Sequence, residues 1–191
     1  MIRARWFLAL TGALLSLAGL LACGGGGGSL PPQPALVYVD PPATGYRFVR
    51  NPGLSTAGHL VLELVGPAGD RGRGVAFTLT LAPGPVTWAK VAPGDPQYVQ
   101  NLLFDLGTGV PLVKTDVQAG TTLLANLFQK GPGNDKSLAA PICRIALDGV
   151  PPLARTAGLA ITVAQFRFLP PSGNVLTDAT ARCAVGTLSV Q

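Results

Sequence analysis

The chain has 191 residues, of which 14 are basic and 9 are acidic, giving a formal charge of +5. The basic residues form no stripe with interleaved aromatic residues, so the sequence gives no support to nucleic-acid binding. The densest positive charge, Arg71-Gly72-Arg73, lies in a predicted turn, and we interpret it as solvating charge on a loop rather than as a phosphate site. The roughly 160 residues that follow the N-terminal segment suffice for one domain with a sizeable core.

The N-terminal segment has the pattern of an export signal. Arg3 and Arg5 precede an apolar run over residues 6–21, which is short for a bilayer span. The run closes on Leu20-Leu21-Ala22-Cys23, which resembles the bacterial lipobox. The sequence thus predicts a lipoprotein signal peptide over residues 1–22. An uncleaved membrane anchor and a buried helix are the alternatives.

The lipobox resemblance implies three events at Cys23. A lipid is attached to the Cys23 thiol, the chain is cleaved before this residue, and the new amino terminus is acylated. Two or three acyl chains hold a protein on a membrane far better than one. Gly24 stands where a signal for retention in the inner membrane usually has Asp, so the resemblance favours the outer membrane. Cleavage would leave 12 basic and 9 acidic residues, which is an ordinary surface charge.

A tether is predicted between the lipid and the folded domain, over residues 23–34. Residues 24–28 are all glycine and form a flexible coil, and the prolines between residues 31 and 34 stiffen the chain toward polyproline II. Such a segment lifts a domain off a membrane without packing on it. The domain is predicted to span residues 35–191 and to begin with a strand over residues 36–39.

From this first strand onward, the chain repeats short runs rich in valine, leucine and threonine, separated by glycine and proline. Residues 59–65 and 75–81 alternate apolar and polar side chains, a pattern typical of half-buried strands, with Thr78 and Thr80 facing outward. Residues 66–74 between them are predicted to form a hairpin loop. Further strands are predicted over residues 86–91, 102–106, 112–117, 123–129, 142–147, 159–169 (with a bulge near Ala164-Gln165) and 185–190.

These runs predict an all-β domain with hardly any helix. We expect an antiparallel β-sandwich of jelly-roll type with about nine strands, and an eight-stranded barrel is the main competitor. The chain contains 18 prolines, which disfavour long helices and suit loops and edge strands.

Two cysteines besides Cys23 remain, Cys143 and Cys183. Export would place them in a compartment where disulfides persist, so we predict that they pair. The bond would stabilise the fold by roughly 4 kcal/mol in the chain-entropy model. Two free buried thiols are the alternative.

Candidate catalytic and metal-binding residues are few. His59 and Glu63 share the polar face of a predicted strand, but no motif places a serine or cysteine nucleophile beside them. An exposed histidine without a catalytic role is the simpler interpretation. The acidic residues form no calcium-binding loop, and Gly133-Asn134-Asp135 is the first loop to consider for an ion held by distant loops. We predict no catalytic residue, no metal and no cofactor.

Three aromatic residues, Trp88, Tyr98 and Phe104, lie within one stretch of the chain. Exposed rings could stack on sugars or anchor a protein partner, so these three are the candidate binding residues. A buried Trp88 that fills the core is the alternative.

Five stretches of the domain share a common pattern of strand and turn: GHLVLELVGP, GVAFTLTLAPGPVTWAKV, TTLLANLFQKG, LAAPICRIALDG and AVGTLSV. With these stretches, residues 58–190 as a whole resemble the cohesin module and its carbohydrate-binding relatives. The resemblance implies a jelly-roll sandwich that binds other proteins through one sheet face, or sugars in the related modules. Cohesins recognise dockerins in cellulose-degrading complexes, and free-standing cohesin-like lipoproteins also occur in bacteria, some beside secretion or pilus genes.

The sequence therefore predicts a non-enzymatic protein, lipid-anchored in the cell envelope, that binds a protein partner as an accessory to a secretion or surface assembly. A carbohydrate-binding module for envelope or extracellular polysaccharide is the alternative, and an envelope hydrolase is a third hypothesis. A row of exposed aromatic rings would favour sugar, a flat apolar face with a polar rim would favour protein, and His59 in a cleft with carboxylates would favour catalysis.

Overall fold

The structure is a computed structural model that describes residues 33–106, 112–130, 134–172 and 174–191. The predicted signal peptide, Cys23 and nearly all of the predicted tether lie outside the described residues. Residues 34–191 form one compact unit. Among the described residues, no helix has the length and apolarity that crossing a bilayer requires.

The described part of the domain consists of strands and a single 3-10 turn, η1. The strand count exceeds the predicted number because several segments of two to four residues also pair. In chain order the elements are β1 Leu36–Val39, β2 Tyr46–Arg50, β3 His59–Val65, β4 Arg71–Gly72, β5 Gly74–Leu81, β6 Val86–Ala89, β7 Val99–Asn101, β8 Val113–Gln118, β9 Thr122–Phe128, β10 Lys136–Ser137, β11 Pro141–Gly149, β12 Thr156–Leu159, β13 Ile161–Leu169, β14 Thr177–Asp178, η1 Thr180–Arg182, β15 Cys183–Ala184 and β16 Thr187–Val190.

Two main sheets form a sandwich. The first sheet has the strand order β15-β2-β3-β11-β6, and β7 also pairs with β11. The second sheet has the order β14-β13-β5-β9-β8. A smaller sheet, β1-β16-β12, and the pair β10-β4 complete the domain. The pairings are antiparallel except for β15 with β2, so the predicted antiparallel β-sandwich is confirmed.

The core lies between the inner faces of the two main sheets. Aromatic rings make contacts across it: the ring centroids of Phe48 and Phe77 are 5.4 Å apart, and those of Tyr46 and Phe166 are 4.5 Å apart. Alternate residues of β3 and β5 fill the space around these rings, as the period of two predicts. The fully buried members include Leu60, Leu62, Leu64, Val75 and Leu79.

Two local expectations differ from the structure. Residues 66–74 do not form a hairpin loop, because β3 lies in the first sheet and β5 in the second. They cross from one sheet to the other instead, and place β4 against β10 on the way. Residues 102–106 do not form a strand, since the pairing with β11 ends at Asn101. The predicted bulge is confirmed: the register of β13 on β5 shifts between Val163 and Gln165.

The structure does not contain the predicted disulfide, because Cys143 and Cys183 are both free thiols. Both side chains contact the core, but β3 and β2 stand between their strands. Three strand spacings separate the two backbones by about 14 Å. A disulfide requires the two Cα atoms to be within about 7 Å. The two cysteines therefore lie on strands that are not neighbours in the sheet.

The phenol of Tyr38 lies at the end of the sandwich where the chain enters and leaves the domain. Its hydroxyl donates to the carbonyl oxygen of Phe48 at 2.8 Å and accepts from the amide of Gly186 at 2.6 Å. A Cβ at Gly186 would lie 1.9 Å from the carbonyl oxygen of Val39, so this close approach requires glycine. One side chain thus joins β1, β2 and the turn before β16.

Four weak acids are held in or against the core in their neutral forms. Burial raises the pKa of Cys183 to about 12, and burial also raises the pKa of Cys143, with a smaller contribution from Cys183. Burial raises the pKa of Tyr38. The pKa of Tyr46 is raised by burial first and then by its hydrogen bond to Asp70. Each group resists ionisation in the folded protein.

We expect the free energy of unfolding to fall as the pH rises above about 8, since these acids ionise more readily in the unfolded chain. Thiols and phenols in unfolded chains titrate near pH 8.5 and 10, so the stabilisation is complete below about pH 8, and it decreases above this pH first through the thiols and then through the phenols. Each group contributes a slope of about 1.4 kcal/mol per pH unit between its two pKa values. Urea unfolding at pH 7 to 11 measures the slope of the free energy of unfolding against pH. A Tyr38→Phe control should reduce this slope by the contribution of one group. A stability that is constant from pH 9 to 11 would contradict the assignment.

Candidate functional site

His59 lies on the outer face of the first sheet, at the start of β3. Its Nδ1 is 2.5 Å from the Asp148 carboxylate on β11, and its Nε2 is 3.2 Å from the carbonyl oxygen of Val91. Both ring nitrogens therefore face acceptors within the protein, and neither directs a free lone pair toward a substrate. The ring is half-buried rather than exposed as predicted.

Glu63, the predicted neighbour of His59, belongs to a separate ion pair. It accepts hydrogen bonds from Arg144 Nε and from Asn51 Nδ2, both at 2.8 Å. Arg144 also donates to the side chain of Gln100 at 3.2 Å. Val61, between His59 and Glu63 on the same face, is fully buried. His59, Glu63 and Arg144 on this outer face thus bond to other groups of the domain.

The three predicted binding aromatics do not form an exposed platform. Trp88 and Phe104 are each 4% exposed, and the Trp88 indole donates to the carbonyl oxygen of Thr121 at 2.8 Å. Tyr98 is half-buried and packs against the same core. These side chains are buried or half-buried because Trp88 has an inward position on β6, and Tyr98 and Phe104 have inward positions beside β7. No aromatic side chain among the described residues is exposed.

Of the loop considered first for an ion, Gly133-Asn134-Asp135, only Asn134 and Asp135 are among the described residues. Asp135 is described, and it forms an ion pair with Arg71. The hydrogen bond from Arg71 lowers the pKa of the Asp135 carboxyl. The described residues contain no group of three or more side chains arranged to hold a metal ion.

The outer face of the second sheet carries a regular grid of side chains, which we call the threonine face. Four neighbouring strands, β13, β5, β9 and β8, each contribute one outward residue to each row. The rows are Thr162–Thr80–Thr122–Gln118, Gln165–Thr78–Leu124–Asp116 and Arg167–Ala76–Asn126–Lys114.

Sequence and turn geometry together produce this grid. Thr78 and Thr80 face outward as predicted, because the apolar residues of β5 alternate with them. Threonine is suited to such positions, since β-branched side chains pack well on a pleated surface. Ala119 and Gly120 both have positive φ, 50° and 72°, which is the geometry that joins β8 tightly to β9.

Charge on the threonine face is confined to its two margins. Arg167 lies on β13 at one side, and Lys114 and Asp116 lie on β8 at the other. A shallow depression of about 360 Å³ follows the β8 margin, where Gln97, Leu124 and Asn126 are among its lining residues. The centre is formed by hydroxyl, amide and small apolar groups.

The sequence did not predict Lys114, Asp116 or Arg167 as site residues. Their signal was the alternation of polar and apolar residues in Val113–Gln118, which assigns Lys114 and Asp116 to one face of a strand. Which strands lie beside β8, and therefore which rows form, depends on long-range pairing that the local pattern does not contain.

No family model matches the chain, and no curated protein does. Solved structures similar to it include the cohesin module of a family 33 glycoside hydrolase from Clostridium perfringens, with 11% identity and a TM-score of 0.45. Another is a type II cohesin domain from the cellulosome of Acetivibrio cellulolyticus, with 8% identity and a TM-score of 0.46. Each comparison covers 78% of this chain, and 99% and 95% of the two modules, respectively. At these values, no contact residue or partner is transferred to this chain.

Proposed function

We propose that the chain is a non-enzymatic protein, lipid-anchored in the cell envelope through Cys23, that binds a protein partner through the threonine face. Its role would be that of an accessory to a secretion or surface assembly. The observation that carries the proposal is the set of three cross-strand rows on the outer face of the second sheet. The lipobox and the tether of residues 23–34 supply the proposed location.

The threonine face suits a protein partner in shape and in chemistry. Three of its strands, β13, β5 and β9, are paired on both sides, so most of this surface is rigid and binding to it orders little of the chain. Its centre includes Ala76, Thr78 and Leu124, and its charges stand at the margins. This resembles the general anatomy of protein interfaces, in which charged residues are depleted at the core and the rim is polar. Small molecules, in contrast, are usually bound in concave pockets.

The non-enzymatic part of the proposal rests on the groups that catalysis would need. His59 is the only histidine in the sequence, and both its nitrogens face acceptors inside the domain. Glu63 forms an ion pair with Arg144, and Asp70 forms one with Arg182. These carboxylates stabilise the fold, which leaves them poorly placed for acid–base chemistry.

The threonine face also bears on the choice between protein and polysaccharide. Sugar-binding surfaces usually stack rings on sugar faces, whereas the three rows contain hydroxyl, amide, aliphatic and charged groups. Phe128, on the same face of β9, is half-buried. We therefore propose a protein partner.

Replacing Thr78 by Arg should reduce partner recovery about tenfold or more, because a long charged side chain at the centre of the face prevents close contact. The measurement is crosslinking in the protein's own membranes, followed by affinity purification and mass spectrometry. Thr87→Arg is the matched control, since Thr87 is also a half-buried threonine facing outward, but on β6 of the first sheet. Both variants should unfold within about 0.5 kcal/mol of the wild type.

Two outcomes would overturn the proposal. One is equal recovery of the same proteins by Thr78→Arg, Thr87→Arg and the wild type, which would show that the partner uses another surface. The other is retention on an envelope glycan with no protein above background.

A further inference from the structure

Among the described residues, strand β8 is the free edge of the second sheet. It pairs with β9 on one side, and the sheet order ends with it. The amide of Phe128 donates to the carbonyl oxygen of Leu112 at 3.1 Å, so residue 112 and alternate residues after it direct their backbone groups toward β9. The backbone N–H and C=O groups of Val113, Thr115 and Val117 therefore lie in the plane of the sheet and point away from β9.

These three residues form no backbone hydrogen bond across the free edge within the described part of the chain. The segment before β7 contacts this edge through the Thr115 side chain. The Thr115 hydroxyl accepts from the amide of Tyr98 at 3.1 Å and donates to Gln97 Oε1 at 2.7 Å. An edge with unsatisfied backbone groups is a template for another strand.

We propose that two copies of this chain pair β8 to β8, antiparallel, about a twofold axis at Thr115. In this register Lys114 lies opposite the partner's Asp116, and Asp116 lies opposite the partner's Lys114. The four charges thus form two complementary cross-strand pairs. Both side chains are exposed and lie on the same face of the strand. Val113 and Val117 lie opposite each other at both ends of the pairing.

The backbone is compatible with this register. With the axis at Thr115, the opposed pairs 113–117, 115–115 and 117–113 consist of residues whose N–H and C=O groups point outward. Each pair can therefore exchange two hydrogen bonds. Moving the axis to residue 114 or 116 keeps the outward-bonding residues opposite each other, but it places two lysines or two aspartates directly opposite, which is destabilising. The charges therefore favour the axis at Thr115 among the registers that the backbone allows.

The pairing would join the two second sheets into one continuous sheet. An antiparallel pair of strands has its twofold axis perpendicular to the sheet, so both threonine faces would point to the same side. This inference does not depend on the proposed function, because the pairing uses the edge of the sheet and is measured without a partner protein.

The test is a charge exchange in the full chain, followed by analytical ultracentrifugation in a density-matched detergent. The wild type should dimerise, and Lys114→Asp and Asp116→Lys should each weaken the dimer about tenfold or more, since each creates like-charge pairs. An equimolar mixture of the two variants should restore dimerisation, because each then faces its complement. Lys90→Asp, an exposed charge change on the loop after β6, is the matched control and should leave the dimer unchanged.

Hydrogen exchange gives a second readout. The amides of Val113, Thr115 and Val117 should exchange about tenfold more slowly at high protein concentration in the wild type, and not in Lys114→Asp. A wild type that stays monomeric at every concentration would overturn the proposal. A dimer that persists in both charge variants, or a mixture that fails to recover it, would also overturn the proposal.

Discussion

Replacing Tyr46 by alanine is expected to lower the free energy of unfolding by about 3–5 kcal/mol. Tyr46 is fully buried on β2, and its ring lies 4.5 Å from that of Phe166 and 5.8 Å from that of Phe168. Its hydroxyl donates to the Asp70 carboxylate at 2.9 Å, and the Arg182 guanidinium lies 5.6 Å above the ring. Since a domain is stable by about 5–15 kcal/mol in total, this variant should populate unfolded chains.

The matched variant Tyr46→Phe separates packing from hydrogen bonding. It keeps the ring contacts and removes only the hydroxyl, so we expect a loss of about 1 kcal/mol. Asp70 keeps its ion pair with Arg182 at 2.9 Å, which limits the penalty. Chemical denaturation of the three proteins provides the comparison. Equal losses in both variants would show that the hydroxyl bond to Asp70, and not the ring packing, supplies the stabilisation.

Replacing Cys23 by serine is expected to release the protein from the membrane fraction. The proposed anchor is made of acyl chains on this residue, and each buried methylene contributes about 0.8 kcal/mol to membrane binding. Serine offers no thiol for lipid attachment, so the wild type should require detergent for extraction and the variant should not. Fractionation with and without detergent, together with the mass of the mature chain, measures both points.

The control for this experiment is Cys183→Ser, which removes a thiol from the folded domain and leaves Cys23 in place. That variant should remain membrane-bound. If Cys23→Ser still requires detergent, the lipobox interpretation is wrong, and the apolar run over residues 6–21 would be the anchor.

Local alternation predicted single strands well. The bounds of β1 and β3 match the sequence pattern to the residue, because β3 is an alternating run closed by Gly66 and β1 is a short apolar run stopped by Pro41-Pro42. Strand β2 was not predicted, since Arg47 and Arg50 interrupt its apolar signal even though Tyr46 and Phe48 alternate correctly. A run with one clearly apolar face is therefore easier to predict as a strand than a run in which charged outward residues interrupt the apolar signal.

Pairing between strands was harder to predict than the strands themselves. The glycines and prolines of residues 66–74 fit both a hairpin and a crossover, and only the contacts of β3 with β11 and of β5 with β13 distinguish the two. Whether Trp88 is buried or exposed also depends on contacts between strands that are distant in sequence. The threonine face has this origin too, because its rows join residues from four strands that are distant in sequence.

The meeting of the first and last strands has a mechanical consequence. Ala35 and Gln191 exchange two backbone hydrogen bonds, of 2.8 and 3.0 Å, at the point where the chain enters the domain. A force applied to the chain before Ala35 would open this pair first and then peel β1 from β16 one hydrogen-bonded pair at a time. The peeling would next reach Tyr38, whose hydroxyl joins Phe48 and Gly186. The rupture force of the domain under tension should therefore be set near this phenol.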